Sequence, residues 1–302
     1  MVSVEAKHNW DSDEGPFELL KCLKSCGDGK YLARVVDRDL QEEYGTDRVI
    51  LTIPLRGRRR LRPSIVASEV LRPSLKPGNC ANIVRCFGVE FFHGAPVIVT
   101  EYVPWINLRE ILGRPGKGKR LPVTDALGIM QHVLKGLTVV HRARIFHRDI
   151  RPENILVCGD SAKIDGFALA RFLEPDELDE GLTGSLYYMS PETLREEGAS
   201  FPSDIWSVGV TFYETLTGRF PFGGNDMPIG VLADQIQRRQ HKPVCEVCPD
   251  IPVELSRIVD RALEKEPAKR FASAGEMCEA LGDFQCRHAA GAGKLPSTGL
   301  DR

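Results

Sequence analysis

A short stretch near the middle of the chain carries the residues best suited to chemistry. It begins His147-Arg148-Asp149 and reaches Asn154. An aspartate carboxylate can accept the proton of a hydroxyl group, and an Asn on the same tight loop can hold a metal ion near phosphates. The apolar run Ile155-Leu156-Val157 follows directly and predicts a buried strand that fixes the loop in place. We therefore take this stretch as the candidate catalytic loop.

The bulk composition excludes several classes of protein. The 302 residues include 42 acidic and 40 basic side chains, so no overall field favours nucleic acid or a membrane surface. The longest apolar runs are too short to span a bilayer, and the polar stretch 1–13 gives no signal peptide. Nine Cys, an odd number, fit a reducing compartment better than a disulfide framework. The sequence predicts a cytoplasmic protein without a membrane span.

The first part of the chain has the patterns of strands. Turn residues separate short apolar and β-branched runs, which is typical of an antiparallel sheet. One helix begins at Pro63-Ser64 and runs to about Leu71, and Pro73 cuts it off. The predicted strands are Phe17–Leu23, Tyr31–Val36, Val49–Ile53, Ile83–Phe87 and Pro96–Glu101. This region is predicted to be a five-stranded antiparallel lobe with one helix.

The second part of the chain is predicted to be mainly helical. Apolar residues recur at helical spacing in 124–142, where Thr124 has the chemistry of an N-cap. Further helices are predicted at Asn107–Leu112, from Asp204, and at Pro228–Arg239 and Pro252–Glu264, and Ala274–Phe284 ends the folded part. The predicted organisation is a flexible N-terminus at 1–15, lobes at 16–101 and 102–286, and a disordered tail at 287–302.

The candidate catalytic loop resembles the H-R-D-x-x-x-x-N signature of protein kinases. The likeness covers roughly 17–284, and 266–274 is similar to the bacterial Ser/Thr branch. Ser190-Pro191-Glu192 stands where the family has A-P-E, and Asp204 matches the helix residue that bonds the catalytic loop. The resemblance implies an α+β bilobal fold, with Glu192 paired to Arg270. It also implies that Asp149 is the catalytic base, Arg151 the Lys equivalent and Asn154 a metal ligand.

The residues that would handle a nucleotide depart from the family pattern. Val49-Ile50-Leu51-Thr52 replaces V-A-I-K, so Thr52 stands where the phosphate-binding Lys belongs and Ile50 where the family has a small Ala. Gly29 alone remains of the three glycines of the phosphate loop, and Tyr31 is aligned with the Val that covers adenine. The resemblance implies that the nucleotide-binding positions are Gly29, Ile50, Thr52, Glu101, Val103 and Leu156. We expect Tyr31, Ile50 and Leu156 to fill the space that a purine would occupy.

The metal-binding position has also changed. Lys163-Ile164-Asp165-Gly166-Phe167-Ala168 is aligned with K-I-x-D-F-G, so Gly166 stands in place of the metal-binding Asp. The remaining metal candidates are Asn154 and Asp165. Lys24 or Lys30 is the candidate for a displaced phosphate-binding cation. Because losing one preorganised electrostatic group costs roughly 10²–10³ in rate, two such losses predict very weak phosphoryl transfer.

Two charged segments and three residues are candidates for regulation. Five Arg crowd the segment 56–62, which is either a solvated face or a docking site for an acidic partner. Acidic residues crowd 174–180, where active kinases carry phosphorylation sites, and this stretch is either an exposed loop or supplies an acid that pairs with Arg148. The candidate regulatory residues are Arg148, Thr183 and Ser185.

Three functions remain open from the sequence. The first is a pseudokinase that needs no cofactor and regulates a protein partner, either a kinase, a substrate or a signalling complex, and binds no nucleic acid. The second is an active Ser/Thr kinase that uses ATP and Mg²⁺ with Asp149, Asn154 and a displaced Lys and Asp. The third keeps a nucleotide as a structural ligand without transferring phosphate.

Overall fold

The structure is a computed structural model that describes residues 16–24, 29–53, 81–92, 95–166, 186–198, 200–224 and 227–291. The chain divides into two compact units. The first unit comprises 1–72 and 85–102, and the second comprises 73–84 and 103–302. The segment 73–84 therefore groups with the second unit, whereas the sequence-based boundary placed it in the first.

The first unit contains the five-stranded antiparallel sheet that the sequence predicts. Its spatial order is β1-β2-β3-β5-β4. The strands are β1 Phe17–Lys24, β2 Gly29–Val35, β3 Arg48–Ile53, β4 Cys86–Phe92 and β5 Ala95–Glu101. The predicted start of the fourth strand at Ile83 is wrong, because Ile83 forms an isolated bridge with Ile164 inside the second unit.

Alternation of side chains divides this sheet into two faces. Val49 and Leu51 of β3 point into a core with Val97 and Val99 of β5 and Ala33 of β2. Successive side chains of a strand point to opposite faces. The other face of β3 therefore carries Ile50 and Thr52, the two residues at nucleotide-binding positions.

A short helix that the sequence patterns do not reveal lies between β2 and β3. Helix α1, Arg38–Tyr44, begins after Asp37, whose carboxylate accepts the Leu40 N–H at 2.9 Å, and ends at Gly45, whose φ is +69°. Tyr44 is buried and stacks on Phe87 with ring centroids 4.4 Å apart. Burial of this ring joins the helix to the core. The helix predicted at 63–71 lies outside the described residues.

The second unit is mainly helical, as predicted. Its small antiparallel sheet consists of β6 Ile106–Asn107, β7 Ile155–Cys158 and β8 Ser161–Ile164, in the order β6-β7-β8. Among the described residues, 3₁₀ turns lie at Pro152–Asn154 and Pro267–Lys269. The helices are α2 Leu108–Leu112, α3 Val123–Arg142, α4 Pro191–Leu194, α5 Phe201–Thr217, α6 Ile229–Arg238, α7 Val244–Val247, α8 Val253–Ala262 and α9 Ala274–Gly291.

Several helix ends differ from the predictions, and α5 begins at Phe201 rather than at Asp204. Helix α3 begins at Val123 with Pro122 as its cap, and the Thr124 hydroxyl bonds Asp125, so Thr124 is not the N-cap. Helix α9 runs from Ala274 to Gly291, so the prediction of a disordered tail from residue 287 is wrong for 287–291. Its extension is supported by Phe284 and His288, whose rings lie 4.0 Å apart one turn from each other. Among the described residues, no helix is both long and apolar enough to cross a membrane.

Candidate active site

One buried carboxylate holds the backbone of the catalytic loop. Asp204 on α5 is 1% exposed and accepts the N–H of His147 at 2.9 Å and of Arg148 at 2.8 Å. The ring of His141 lies 2.8 Å from the same carboxylate. Arg148 has a φ of +66°, a left-handed conformation that is costly for a residue with a side chain. The bonds to Asp204 stabilise this turn.

His147 is a structural member of the loop in its neutral form. The Asp149 N–H donates to His147 Nδ1 at 3.2 Å, so Nδ1 carries no proton, and Nε2 lies 3.0 Å from the Asp165 carbonyl oxygen, to which it donates. Burial lowers the pKa of His147, although the negative charge of Asp204 opposes this effect. The neutral ring therefore links the loop to the end of β8.

Asp149 and Asn154 are in direct contact. Asn154 Nδ2 donates to the Asp149 carbonyl oxygen at 2.8 Å and to its carboxylate at 2.6 Å. Burial raises the pKa of Asp149 above its usual range, while Arg151, 4.0 Å away, opposes the shift. Arg151 also pairs with Glu153 at 3.1 Å. The side chain of Asp149 is 31% exposed, and its role as a catalytic base stays a prediction.

Asp165 and Gly166 follow β8 beside Asn154. The Asp165 N–H donates to the Asn154 carbonyl oxygen at 2.8 Å, and the Asp165 carboxylate accepts the Gly166 N–H at 2.7 Å. Gly166 has a φ of +93°. Among the described residues, no group of three or more His, Cys, Asp or Glu is arranged to hold a metal ion. The metal-binding roles of Asn154 and Asp165 stay predictions.

In the first unit, strand register shows which residues share a face with Thr52. The Thr52 side chain is buried at 4% exposure, and the residue pairs with Lys30 on β2 and Ile98 on β5. Directly paired residues point to the same face. Lys30 therefore projects from the same face as Thr52, and its role as a displaced cation stays a prediction. Lys24, the other candidate, is the last residue of β1.

The same register corrects the position of Tyr31. Tyr31 pairs with Leu51, whereas Leu32 pairs with Ile50. Leu32 therefore shares a face with Ile50, and Tyr31 lies on the core face. The sequence alignment misses this because a shift of one residue in a strand moves the side chain to the other face. The expectation that Tyr31 joins Ile50 in filling the space of a purine is therefore wrong, because the two residues lie on opposite faces of the sheet.

The remaining nucleotide-binding positions belong to both units. Gly29 begins β2, and Glu101 ends β5, where its carboxylate accepts the Arg85 N–H at 3.1 Å. Val103 and Leu156 belong to the second unit, and Leu156 pairs with Asn107 and Lys163 in the small sheet. The joint role of these residues stays a prediction. The segments 56–62 and 174–180, and the residues Thr183 and Ser185, lie outside the described residues.

An arginine that the sequence patterns do not single out lies next to the catalytic loop. Arg109 on α2 pairs with Glu153 at 3.0 Å and holds both carboxylate oxygens of Glu214, at 2.8 and 2.9 Å. Its guanidinium also donates to the Tyr188 hydroxyl at 2.5 Å. Arg109 thus joins the catalytic loop to α5 and to the segment before α4. No spacing rule within the loop could reveal a partner so distant in sequence.

The predicted pair of Glu192 and Arg270 is present and buried. Two parallel hydrogen bonds of 2.7 and 2.8 Å join the guanidinium to the carboxylate, and Ser203 donates to Glu192 at 2.8 Å. Burial alone raises the pKa of Glu192, but the hydrogen bonds and charge of Arg270 outweigh it and lower the pKa below its usual value. This pair joins α4 to the residue that follows the 3₁₀ turn Pro267–Lys269.

The fold and the catalytic loop define a protein kinase domain. Residues 33–281 match the family described as Protein kinase domain, and the chain belongs to that family. It is 31% identical over 280 residues to a protein of Clostridium perfringens described as a probable serine/threonine-protein kinase, covering 89% of this chain and 38% of that one. It is 28% identical over 274 residues to the serine/threonine-protein kinase PrkC of Bacillus subtilis, covering 87% of this chain and 39% of that one.

A solved structure agrees with this fold. The kinase domain of PknI from Mycobacterium tuberculosis superposes with a TM-score of 0.65 at 19% identity, covering 89% of this chain and 96% of that chain. At this identity the likeness concerns the fold alone. The chain spans less than half the length of the curated relatives it matches.

Proposed function

We propose that this kinase domain is a pseudokinase that acts by binding a protein partner and transfers phosphate very weakly or not at all. The observation that carries the proposal is the pair of replacements at the phosphate-binding and metal-binding positions. Thr52 is uncharged and buried, and Gly166 has no side chain. Each loss is expected to reduce the rate by roughly 10²–10³.

The polar groups around Asn154 also support the proposal. Asn154 Nδ2 donates to Asp149 and the Asp165 carboxylate accepts its neighbour's N–H, while Gly166 offers no carboxylate beside them. Magnesium is bound through carboxylates in near-octahedral geometry. Gly166 removes one of the carboxylates that would hold magnesium next to Asn154, so the proposed function involves no metal-dependent step. The intact loop then has a structural role, as a support for the surface that a partner binds.

The test compares ligand binding and phosphate transfer. Thermal unfolding is measured with ATP, and with ATP plus Mg²⁺ or Mn²⁺, because a ligand that binds only the folded state raises the midpoint. Radiolabelled ATP is then offered with generic protein substrates. We expect no metal-dependent shift and no label. Label that disappears in Asp149→Asn would contradict the proposal.

A specific observation favours a second candidate, an active Ser/Thr kinase. Lys30 lies opposite Thr52 on one face of the sheet, and Asp149 and Asn154 keep the positions of a working catalytic loop. The similar proteins named above are described as serine/threonine-protein kinases. In this alternative Asp149 accepts the substrate proton, Lys30 replaces the missing cation, and ATP and Mg²⁺ are required.

The two candidates differ in the importance of Lys30. An active enzyme would lose labelling in both Lys30→Ala and Asp149→Asn, whereas Lys21→Ala, an exposed cation on β1, would keep it. A pseudokinase gives no label in any of these proteins. The comparison therefore decides between the candidates without knowledge of the natural substrate.

A further inference from the structure

A groove of about 580 Å³ lies in the second unit between two loops. One loop joins α2 to α3, and the other begins at the end of α5. Backbone hydrogen bonds hold the loops side by side, from Gly118 N–H to the Gly218 oxygen at 3.1 Å and from Leu121 N–H to the Thr215 oxygen at 2.9 Å. We call this the basic groove, lined by Gly116, Lys117, Gly118, Gly218, Arg219 and Phe220.

The glycines of the basic groove are required by its shape. Gly116 has a φ of +63°, and a Cβ there would lie 2.5 Å from the Phe220 ring. Gly218 has a φ of +70°, and a Cβ there would lie 2.5 Å from the Gly118 carbonyl oxygen. Real Cβ atoms essentially never come this close to a non-bonded atom, so glycine at these positions allows the loops to approach. The groove is preformed and presents backbone as well as side chains.

The wall of the basic groove connects to the segment before α4. Phe220 stacks on Tyr187 with ring centroids 4.0 Å apart, and the Tyr187 hydroxyl donates to the Gly224 oxygen at 2.9 Å. Gly116 N–H donates to Glu214 at 2.9 Å, and Arg109 holds the same carboxylate. Since Glu214 is 1% exposed and fully engaged, it offers no negative charge to the groove.

Positive charge is concentrated around the groove. Neither 113–124 nor 215–224 contains an Asp or Glu, and Asp226, the one acid of the loop after α5, lies outside the described residues. Arg120 is paired with Asp250 at 2.8 Å. Within the described ranges, no carboxylate lies within 4.0 Å of the other cations of these loops, which are Arg114, Lys117, Lys119 and Arg219. Lys117 and Arg219 are both exposed.

We propose that the basic groove binds an acidic segment of a protein partner. The inference rests on the proposed function, because it names the chemistry of the partner that the binding domain recognises. Complementary charge directs such encounters and selects partners. A nucleic acid is less suited, because it requires many cations along a continuous track, and the chain as a whole carries a net charge of −2.

The test uses a fluorescein-labelled peptide of alternating Glu and Ser, with fluorescence anisotropy measured in the absence of ATP. The double variant Lys117→Glu/Arg219→Glu reverses the charge of the groove. The matched control, Lys242→Glu/Arg257→Glu, makes the same change at exposed positions that do not line it. We expect the groove variant to weaken binding by about tenfold or more and the control to change it by less than about twofold.

Several outcomes would overturn the inference. These are equal losses in both double variants, no measurable binding to the native protein, or tighter binding of a single-stranded oligonucleotide at the same site. The neutral variant Lys117→Gln/Arg219→Gln, with its unfolding midpoint, separates lost charge from lost folding. The assay needs no ATP. Phosphate transfer that depends on Asp149 would therefore refute the proposed function and leave the result for the groove intact.

Discussion

The backbone of Gly166 lies against the side chain of Asn154, so that a Cβ added at residue 166 would be 3.0 Å from Asn154 Cγ. The position that holds a metal-binding Asp in other kinases is therefore adapted to glycine in two ways. The φ of +93° disfavours any side chain, and the space is already taken. Restoring the Asp in this chain would disturb the residue that it is meant to assist.

We predict that Gly166→Ala lowers the free energy of unfolding by about 1–3 kcal/mol, because strained backbone and crowding both oppose the methyl group. Gly166→Asp should cost at least as much. Urea unfolding monitored by circular dichroism measures both changes. Gly159→Ala is the control for the backbone alone, since its φ is +53° and nothing lies within 4 Å of the added Cβ. A loss at Gly166 no larger than that at Gly159 would show that Asn154 is not crowded.

A second prediction concerns Thr52 and Lys30. We expect Thr52→Lys to lower stability by about 1–3 kcal/mol, because it places a cation at a buried position directly opposite another cation. In Thr52→Lys/Lys30→Ser, part of that loss should be recovered. Unfolding curves of the native chain, of the two single variants and of the double variant give a coupling energy, which measures the repulsion between the two cations. Thr52→Val, which keeps the shape without charge, is the control. Additive effects would mean that the two side chains do not share a face.

A third prediction concerns the buried pair of Glu192 and Arg270. Glu192→Ala should cost about 3–5 kcal/mol, because it leaves the guanidinium buried without its partner. Glu266→Ala removes the exposed partner of Lys269 and should cost less than about 1 kcal/mol. Chemical unfolding measures both. Similar costs for the buried and the exposed pair would contradict this account.

The same pair should make stability depend on pH. The pKa of Glu192 is lower in the folded than in the unfolded chain. Its contribution is therefore fully present above the ordinary Glu pKa of about 4.3, and it is lost as the pH falls through the lowered folded value. Unfolding curves between neutral pH and pH of about 3 should show a steeper acid loss for the native chain than for Glu192→Gln. Parallel curves would contradict the prediction.

The sequence predicts what depends on local pattern. The strand Val49–Ile53, the loop around Asp149 and the pair of Glu192 and Arg270 follow from short apolar runs or from a specific family signature. Tyr31 was misplaced because its face depends on pairing with Leu51, and pairing is a property of the sheet. Helix α1 was missed because it is short, and its stability depends on packing of Tyr44 against Phe87 rather than on its own propensity.

The contacts of Arg109 in the candidate active site also depend on the tertiary fold, so local sequence patterns do not predict them. Its partners Glu153 and Glu214 belong to different elements, and the sequence does not indicate which of 40 basic residues meets them. Arg109 nonetheless forms hydrogen bonds to Glu153, Glu214 and Tyr188. No pattern within the catalytic loop predicts these contacts. The strongest remaining prediction therefore concerns this residue.

We predict that Arg109→Ala costs about 3–5 kcal/mol, since it leaves the buried carboxylate of Glu214 without its cation. Arg109→Lys keeps the charge but cannot bind both carboxylate oxygens, so part of the loss should remain. Adding Glu214→Gln to Arg109→Ala should recover stability by removing the unpaired charge.

Hydrogen exchange at 148–154 should become faster in Arg109→Ala, because Glu153 loses its partner. Arg114→Ala, an exposed change beyond the end of the same helix, should leave both measurements unchanged. Unchanged exchange in Arg109→Ala would mean that the arginine stabilises α5 without positioning the catalytic loop.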